Sequence, residues 1–410
     1  MKASLVKQPI AMIVLVNVLA FLLLFFYRFP LNYQTLYIGG CILILTIMTY
    51  GAIIFFRLGD EYLFLISSML VTIGMVMLCR LNYLLGIAQV GWYLIGICAF
   101  YGAYFIYRYI NFWDKLKWLY LGVSVILYIL TQAIGVTING AKNWILILGY
   151  TVQPVEVIKI FYILFLAARF TGNNKQLLKL PQNLTTGLFV FVFVVFLLLQ
   201  REWGLMLLFF FTYIALLYIY DDNKLFLALN IFVCCVVGTV GAYTMRHIAI
   251  RISTWKNPWD DITNTGYQIT QSLFAIASGG FFGRGIGLGR PDFIPAANSD
   301  FIFSAICEEL GIFGGAAIIL LYLIFVYRGI KIAILLPEGF DKAVSLGITI
   351  MFAFQAFIII GGVIKLIPLT GITLPFISSG GSSLISSFIS LGMLQAISAK
   401  ERKMGSIDKQ

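Results

Sequence analysis

Asp300 closes a polar stretch of this 410-residue chain, immediately before Phe301-Ile302-Phe303, with Glu308 and Glu309 about two turns farther on. A carboxylate in that position fits a helix N-cap. It equally fits a general base in a partly dry cleft, where burial raises its pKa toward neutral. Spacing alone favours the cap and leaves both open. A second constellation is Gln153-Pro154-Val155-Glu156-Val157-Ile158-Lys159, in which Glu156 and Lys159 share one helical face. A charge at the centre of a membrane helix costs about 2.5–3.5 kcal/mol on insertion scales, so such residues face a bundle interior or a cavity. A structural ion pair and a substrate-facing pair fit this spacing equally well.

Polar residues concentrate over 246–300. That stretch combines Arg251, Asn257-Pro258-Trp259-Asp260-Asp261, Gln268, Gln271 and Ser272 with a glycine-dense run from Gly279 to Gly289. Structureless loops beyond about 12–15 residues are usually functional or disordered. Trp255, Trp259, Tyr267, Leu273, Phe281 and Phe282 argue for a segment lying on the membrane surface rather than a disordered one. The alternating glycines permit tight turns and close backbone approach to a ligand, but they do not spell a dinucleotide-binding G-x-G-x-x-G. Gly140-Ala141-Lys142-Asn143-Trp144 supplies another cation near the Glu156 helix. Gly371 to Ser383, with Pro375 and Gly380-Gly381, reads as a re-entrant or broken segment, which lipid tolerates only where it is buried in protein or lines a cavity.

The elements that must carry these residues follow from composition. The chain is 61% hydrophobic, 16% aromatic and 11% charged, with a mean hydropathy of +0.97. A soluble domain carries about 25% charged residues, so a soluble enzyme, a disordered chain and a disulfide scaffold are excluded. In lipid only helical bundles and closed barrels satisfy the backbone, and a barrel would alternate apolar and polar residues in strands of roughly ten. Here the apolar runs are continuous and near the ~20 residues a spanning helix needs. About twelve are legible, over 9–27, 35–56, 62–79, 85–107, 118–135, 154–170, 184–200, 203–220, 225–245, 301–327, 343–363 and 379–398. The expectation is an all-α polytopic membrane bundle.

The first run lacks a small-residue cleavage site and reads as an uncleaved anchor. Cys41, Cys79, Cys98, Cys234, Cys235 and Cys307 lie in or beside apolar runs without C-x-x-C spacing, which argues for neither disulfides nor a zinc site. His247 stands alone, and a metal site needs several convergent ligands. The net charge of +11 is spread over connecting loops. It is therefore read as the cytoplasmic excess of Lys and Arg rather than as a nucleic-acid surface. With both termini inside, the inner segments hold Lys2, Lys7, Arg57, Arg108, Lys175, Lys179, Lys224, Arg328, Lys400, Arg402, Lys403 and Lys409 among others. The outer segments hold Arg28, Arg80, Lys142, Arg201, Lys365 and the cations of the 246–300 loop.

Together these motifs resemble the RodA/FtsW/SpoVE family of shape, elongation, division and sporulation proteins. The resemblance rests on Gly140 to Trp144, Gln153-Pro154 to Lys159, Gln200-Arg201-Glu202-Trp203-Gly204, Gly266-Tyr267-Gln268 with Gln271-Ser272-Leu273, Asp300 to Phe303 with Glu308-Glu309-Leu310-Gly311, and the block from Pro368 to Ser383. It implies polymerisation of the lipid-linked disaccharide-peptide precursor of peptidoglycan (lipid II) at the outer face of the bacterial cytoplasmic membrane. It transfers the family's essential aspartate to Asp300, as base for an inverting glycosyltransfer, in place of the cap. Asp292 is a second carboxylate at a position where some members carry an acid. Lys142, Arg251 and Lys365 become candidates for the pyrophosphate. Gln268, Gln271, Ser272, Glu156, Lys159 and Glu309 become candidate cavity residues. No nucleotide or redox cofactor is required; a divalent cation, Mg or Mn, is compatible, with ligands the sequence does not identify. The implied partner is a single-pass class B penicillin-binding protein, a transpeptidase. A precursor flippase and a silent scaffold for that transpeptidase are the rival readings. The family usually has Pro-Asp where this chain has Arg201-Glu202, Tyr where it has Ser379, and Ser where it has Val155. The expected organisation is amino-terminal spans over 1–135, two of them extra to the usual family, a core over 136–398 and a cytoplasmic tail over 399–410.

Overall fold

The computed structural model describes residues 2–27, 31–138, 140–147, 149–172 and 181–407, with side chains from 9 to 401. Arg28, Lys175, Lys179 and Lys409 of the charge argument lie outside the described residues, as do the side chains of Lys2, Lys7, Arg402 and Lys403. The amino-terminal half begins with α1 (Lys2–Tyr27), α2 (Tyr33–Phe55), α3 (Glu61–Leu81), α4 (Tyr83–Tyr109) and α5 (Lys117–Ile134). It continues with α6 (Val155–Thr171), α7 (Gln182–Leu199), α8 (Trp203–Tyr220) and α9 (Lys224–Thr244). Then come α10 (Arg246–Lys256), α11 (Tyr267–Gly279), α12 (Ile302–Leu335), α13 (Phe340–Val363) and α14 (Gly381–Ile407). Short polar side chains start several of them. Asn32, Asp60, Asn82 and Asn223 accept from the backbone N–H of Gln34, Tyr62, Leu84 and Phe226, satisfying donors the helix leaves orphaned.

Among the described residues, eleven helices are long and apolar enough to cross a membrane. The remaining expected run, 154–170, forms the shorter α6, which buries Glu156, Lys159 and Arg169 inside the bundle. The chain is a multi-pass membrane protein. Its centre is built from α3, α6, α13 and α14, while α9 stands outermost, burying only Gly241. Helices approach closely where a side chain is missing: Gly96 of α4 lies against the Phe388 ring of α14, and Gly392 of α14 against the Phe100 carbonyl of α4, the small-residue packing that lipid favours.

The helices bear out the expected all-α membrane bundle, and two features add to it. Between α5 and α6, β1 (Val136–Ile138), β2 (Ala141–Ile147) and β3 (Tyr150–Val152) form a small antiparallel sheet in the order β1-β2-β3. The strands are short and edge the bundle, so they carry no membrane-length pattern to read. The 246–300 stretch is also more regular than a surface loop, holding both α10 and α11.

The glycine run completes α12. That helix breaks at Gly311, where φ is 71°, a conformation glycine adopts without steric cost. The carbonyls freed there are not orphaned, since Glu308 O accepts from Arg284 N at 3.0 Å and Glu309 O from Gly285 N at 2.9 Å. In return Ile312 N donates to Gly280 O at 2.9 Å. The glycines therefore approach the helix backbone rather than open space.

Candidate functional site

The site lies at the end of the bundle where the 291–301 turns meet the broken segment 368–380. Ser378 Oγ donates to Ser299 O at 2.6 Å, and Ser379 N donates to Asn298 O at 2.9 Å. These bonds hold the turn that presents Asp300. α12 begins at Ile302 behind Phe301 with no side-chain cap, so Asp300 does not serve as the N-cap that spacing favoured. Its side chain is half-buried and faces Gly371. A Cβ on Gly371 would lie 3.5 Å from Asp300 Oδ2 and 3.6 Å from Arg251 Nη2. Burial pushes the Asp300 carboxyl above the ordinary aspartate range, with the Ser299 hydrogen bond and the Arg251 charge pulling the other way.

Arg251 reaches this point from α10. Its Nη1 donates to Thr370 O at 2.8 Å and Leu369 O at 3.0 Å, so the arginine clamps the segment that carries Gly371. Glu202, the residue before α8, belongs to the same group. Gln153 Nε2 donates to Glu202 Oε1 at 3.3 Å. Burial pushes the Glu202 carboxyl up to about 7, opposed by Arg251 and reinforced by Glu156 and Asp300. In the sequence Glu202 stands only as a member of the Gln200 to Gly204 motif, with no role that spacing assigns. Its signal was a carboxylate between two apolar runs.

The remaining sequence candidates divide. Glu156 and Lys159 are buried and paired at 2.7 Å. Ser386 Oγ donates to Glu156 Oε2 at 2.5 Å, Lys159 Nζ to Gln355 Oε1 at 3.3 Å, and Gln355 Nε2 to Thr373 O at 2.9 Å. This network ties α6 and α13 to the broken segment beneath the site. Glu309, fully buried, pairs with Arg80 Nε at 2.9 Å and accepts from Gly287 N at 2.9 Å, so it anchors the glycine run. Lys142 donates to Gln132 O at 2.5 Å, closing the carboxyl end of α5. Ser272 is buried against Ser304 at 2.6 Å between α11 and α12. Gln268 is exposed and Gln271 half-buried on α11, and Asp292 is exposed in the turn Pro291–Phe293. Lys365 is half-buried, and its carbonyl accepts from Trp255 Nε1 at 3.2 Å. The geometry thus brings Asp300, Arg251 and Glu202 together over the Glu156–Lys159 pair, and leaves the others outside that group. Among the described residues no group of three or more His, Cys, Asp or Glu converges as a metal site.

An apolar cavity of about 420 Å³ opens beside the site. Val190, Met206, Phe210, Val237 and Phe357 are among its lining residues, and Arg251, Leu369 and Thr370 also border it. A guanidinium bordering an apolar channel suits an amphiphile with an anionic head.

These features define a class: a polytopic helical membrane protein with a carboxylate–guanidinium site where an apolar groove meets one polar end. The chain belongs to the FtsW/RodA/SpoVE family of cell cycle proteins, whose profile matches residues 53–403. It is 38% identical over 277 residues to peptidoglycan glycosyltransferase RodA of Mycobacterium tuberculosis (strain ATCC 25618 / H37Rv), covering 65% of this chain and 59% of that protein. It is 33% identical over 365 residues to stage V sporulation protein E of Bacillus subtilis (strain 168), covering 84% of this chain and 98% of that one. The chain therefore spans about three-fifths of the mycobacterial relative and nearly all of the sporulation protein. The fold is shared with a chain solved in work on the structural coordination of polymerisation and crosslinking by a peptidoglycan synthase complex, with TM-score 0.72, 23% identity and 84% and 98% of the two chains covered. It is also shared with RodA of Thermus thermophilus, with TM-score 0.60, 24% identity and 83% and 96% covered.

Proposed function

We propose that the chain is a peptidoglycan glycosyltransferase that polymerises lipid II, with Asp300 as general base. The observation that carries this reading is the meeting of Asp300 and Arg251 at Gly371, beside an apolar groove. In the proposed step Asp300 takes the proton of the acceptor sugar's 4-hydroxyl as that oxygen attacks the donor's anomeric carbon. The bond from that carbon to the lipid pyrophosphate breaks with inversion, and the pyrophosphate leaves with the electron pair. Arg251 balances the charge that develops, and the groove takes an isoprenoid tail. An aspartate of raised pKa suits the role, because a base works best when its pKa lies near the operating pH.

The site would face outward, with both termini cytoplasmic, and the natural partner would be a single-pass class B penicillin-binding protein. Glu156, Lys159 and the broken segment would also suit a flippase of the lipid-linked precursor. Glu156 and Lys159 are buried, bonded to each other and to neighbouring side chains, and gathered under the polar end, which favours a polymerase. The test is polymer formation from labelled lipid II by the purified protein, with and without its transpeptidase. Asp300→Asn is expected to lower the rate by about 10²–10⁴-fold. Polymer at the wild-type rate from that variant would refute the base, and translocation without polymer from wild type would favour the flippase.

A further inference from the structure

A second pocket at the same end is distinct from the Asp300 group. It is about 570 Å³ in volume and is lined by Leu198, Leu199 and Arg201 at the α7–α8 hinge and by Met245, Arg246, His247 and Ile250 around the start of α10. Both arginines are exposed. Arg201 Nη1 reaches Gly140 O at 3.4 Å, a long bond that leaves most of the guanidinium's donors to other acceptors. Met245, the residue before α10, provides no side-chain cap, so the first N–H groups of that eleven-residue helix add their positive end to the pocket.

His247 sets the geometry of its inner wall. Trp203 Nε1 donates to His247 Nε2 at 2.6 Å, which makes the imidazole neutral and leaves Nδ1 as its donor. Burial, then the charges of Arg201 and Arg251, hold the imidazole below its usual pKa. Trp203, Ile248 and Arg251 line the apolar groove, so the Trp203–His247 pair is the partition between that groove and the cationic pocket. Arg251 follows His247 by one helical turn. Two guanidiniums and a helix amino terminus beside Leu198, Leu199 and Ile250 form a polar cup on an apolar wall.

We infer that Arg201, Arg246 and the start of α10 form a lipid-phosphate subsite, separate from the Asp300 site, that holds the phosphate head of a membrane lipid at the groove entrance. The inference rests on the polymerase reading only where that phosphate belongs to the substrate; the shared chemistry is a phosphate ester or pyrophosphate on a long apolar tail.

The test uses the full chain in phosphatidylcholine nanodiscs, titrated with a fluorescent polyprenyl pyrophosphate. Wild type is compared with Arg201→Gln, Arg246→Gln and the double variant. Arg57→Gln, an exposed cation at the opposite end, serves as control, and thermal unfolding checks that each variant folds. Each pocket arginine removed is expected to weaken binding about fivefold, with a shallower salt dependence, while the control binds as wild type. Repeating the titration with phosphatidylglycerol in the disc separates the sources. Displacement that depends on the two arginines assigns the site to bilayer phospholipid, and persistence of pyrophosphate binding assigns it to the isoprenoid lipid; either supports the subsite. Folded double variant binding both lipids like wild type overturns it. Asp300→Asn, run in parallel, is expected to bind normally. An intact arginine effect in a wild-type protein that makes no polymer would therefore sink the polymerase reading and leave the subsite standing.

Discussion

The Asp300 carboxylate and the Arg251 guanidinium meet at a residue that has no side chain: a Cβ on Gly371 would sit 3.5 Å from one and 3.6 Å from the other. Gly371 has φ 73°, so alanine there is strained as well as obstructive, by about 1–2 kcal/mol. Gly371→Ala is expected to cut polymer formation by at least about tenfold, equivalent to ~1.4 kcal/mol of barrier. Rates of glycan synthesis, read beside the unfolding temperature, check this. A variant destabilised but fully active would show that the space above Gly371 is not used.

Glu202 gives a pH signature. Its folded pKa, about 7, is above the ordinary glutamate value of 4.5, so between those values the native state holds the extra proton. Stability contributed by that proton is complete below about pH 4.5 and is lost as pH rises through about 7. Glu202→Gln is expected to flatten the fall in unfolding temperature over this window and to exceed wild type at pH 8. Parallel curves for the two proteins would contradict the buried carboxylate.

The Glu156–Lys159 pair predicts non-additivity. Removing one member of a buried pair strands the other, at a cost of about 3–5 kcal/mol. Glu156→Gln is therefore expected to lower the unfolding temperature markedly, and Glu156→Gln with Lys159→Met to recover most of the loss. A double-mutant cycle in detergent measures the coupling. Equal, additive losses would mean that the two charges do not depend on each other.

Glu309 holds Gly287 and Arg80 together. Glu309→Gln is expected to loosen the run from Gly283 to Gly289 and to raise trypsin cleavage after Arg284 by several-fold, since proteolysis tracks local opening. Unchanged cleavage kinetics would assign the anchoring to the backbone bonds at Gly311 alone.

Much of this was legible in one dimension. Continuous apolar runs near the membrane's thickness fix helices in a bilayer, because no other local structure satisfies the backbone there, and the runs match α1 to α9 and α12 to α14. Family membership was legible too, from motifs in register. The small sheet was not, because its strands are three to seven residues long and edge the bundle. Nor could spacing tell a cap from a base at Asp300, since both roles place a carboxylate just before a helix.

What the chain's order of residues determined by itself is the set of membrane helices and the polar segments between them, for these depend only on local hydrophobicity and reach. The tertiary structure alone decided which polar residues meet. Asp300, Arg251, Glu202 and Gly371 come from four separate segments, and their convergence depends on how α8, α10, α12 and the broken segment pack. It likewise turned Glu309 and Lys142 toward backbone partners, because a buried or half-buried charge takes the nearest group that can satisfy it.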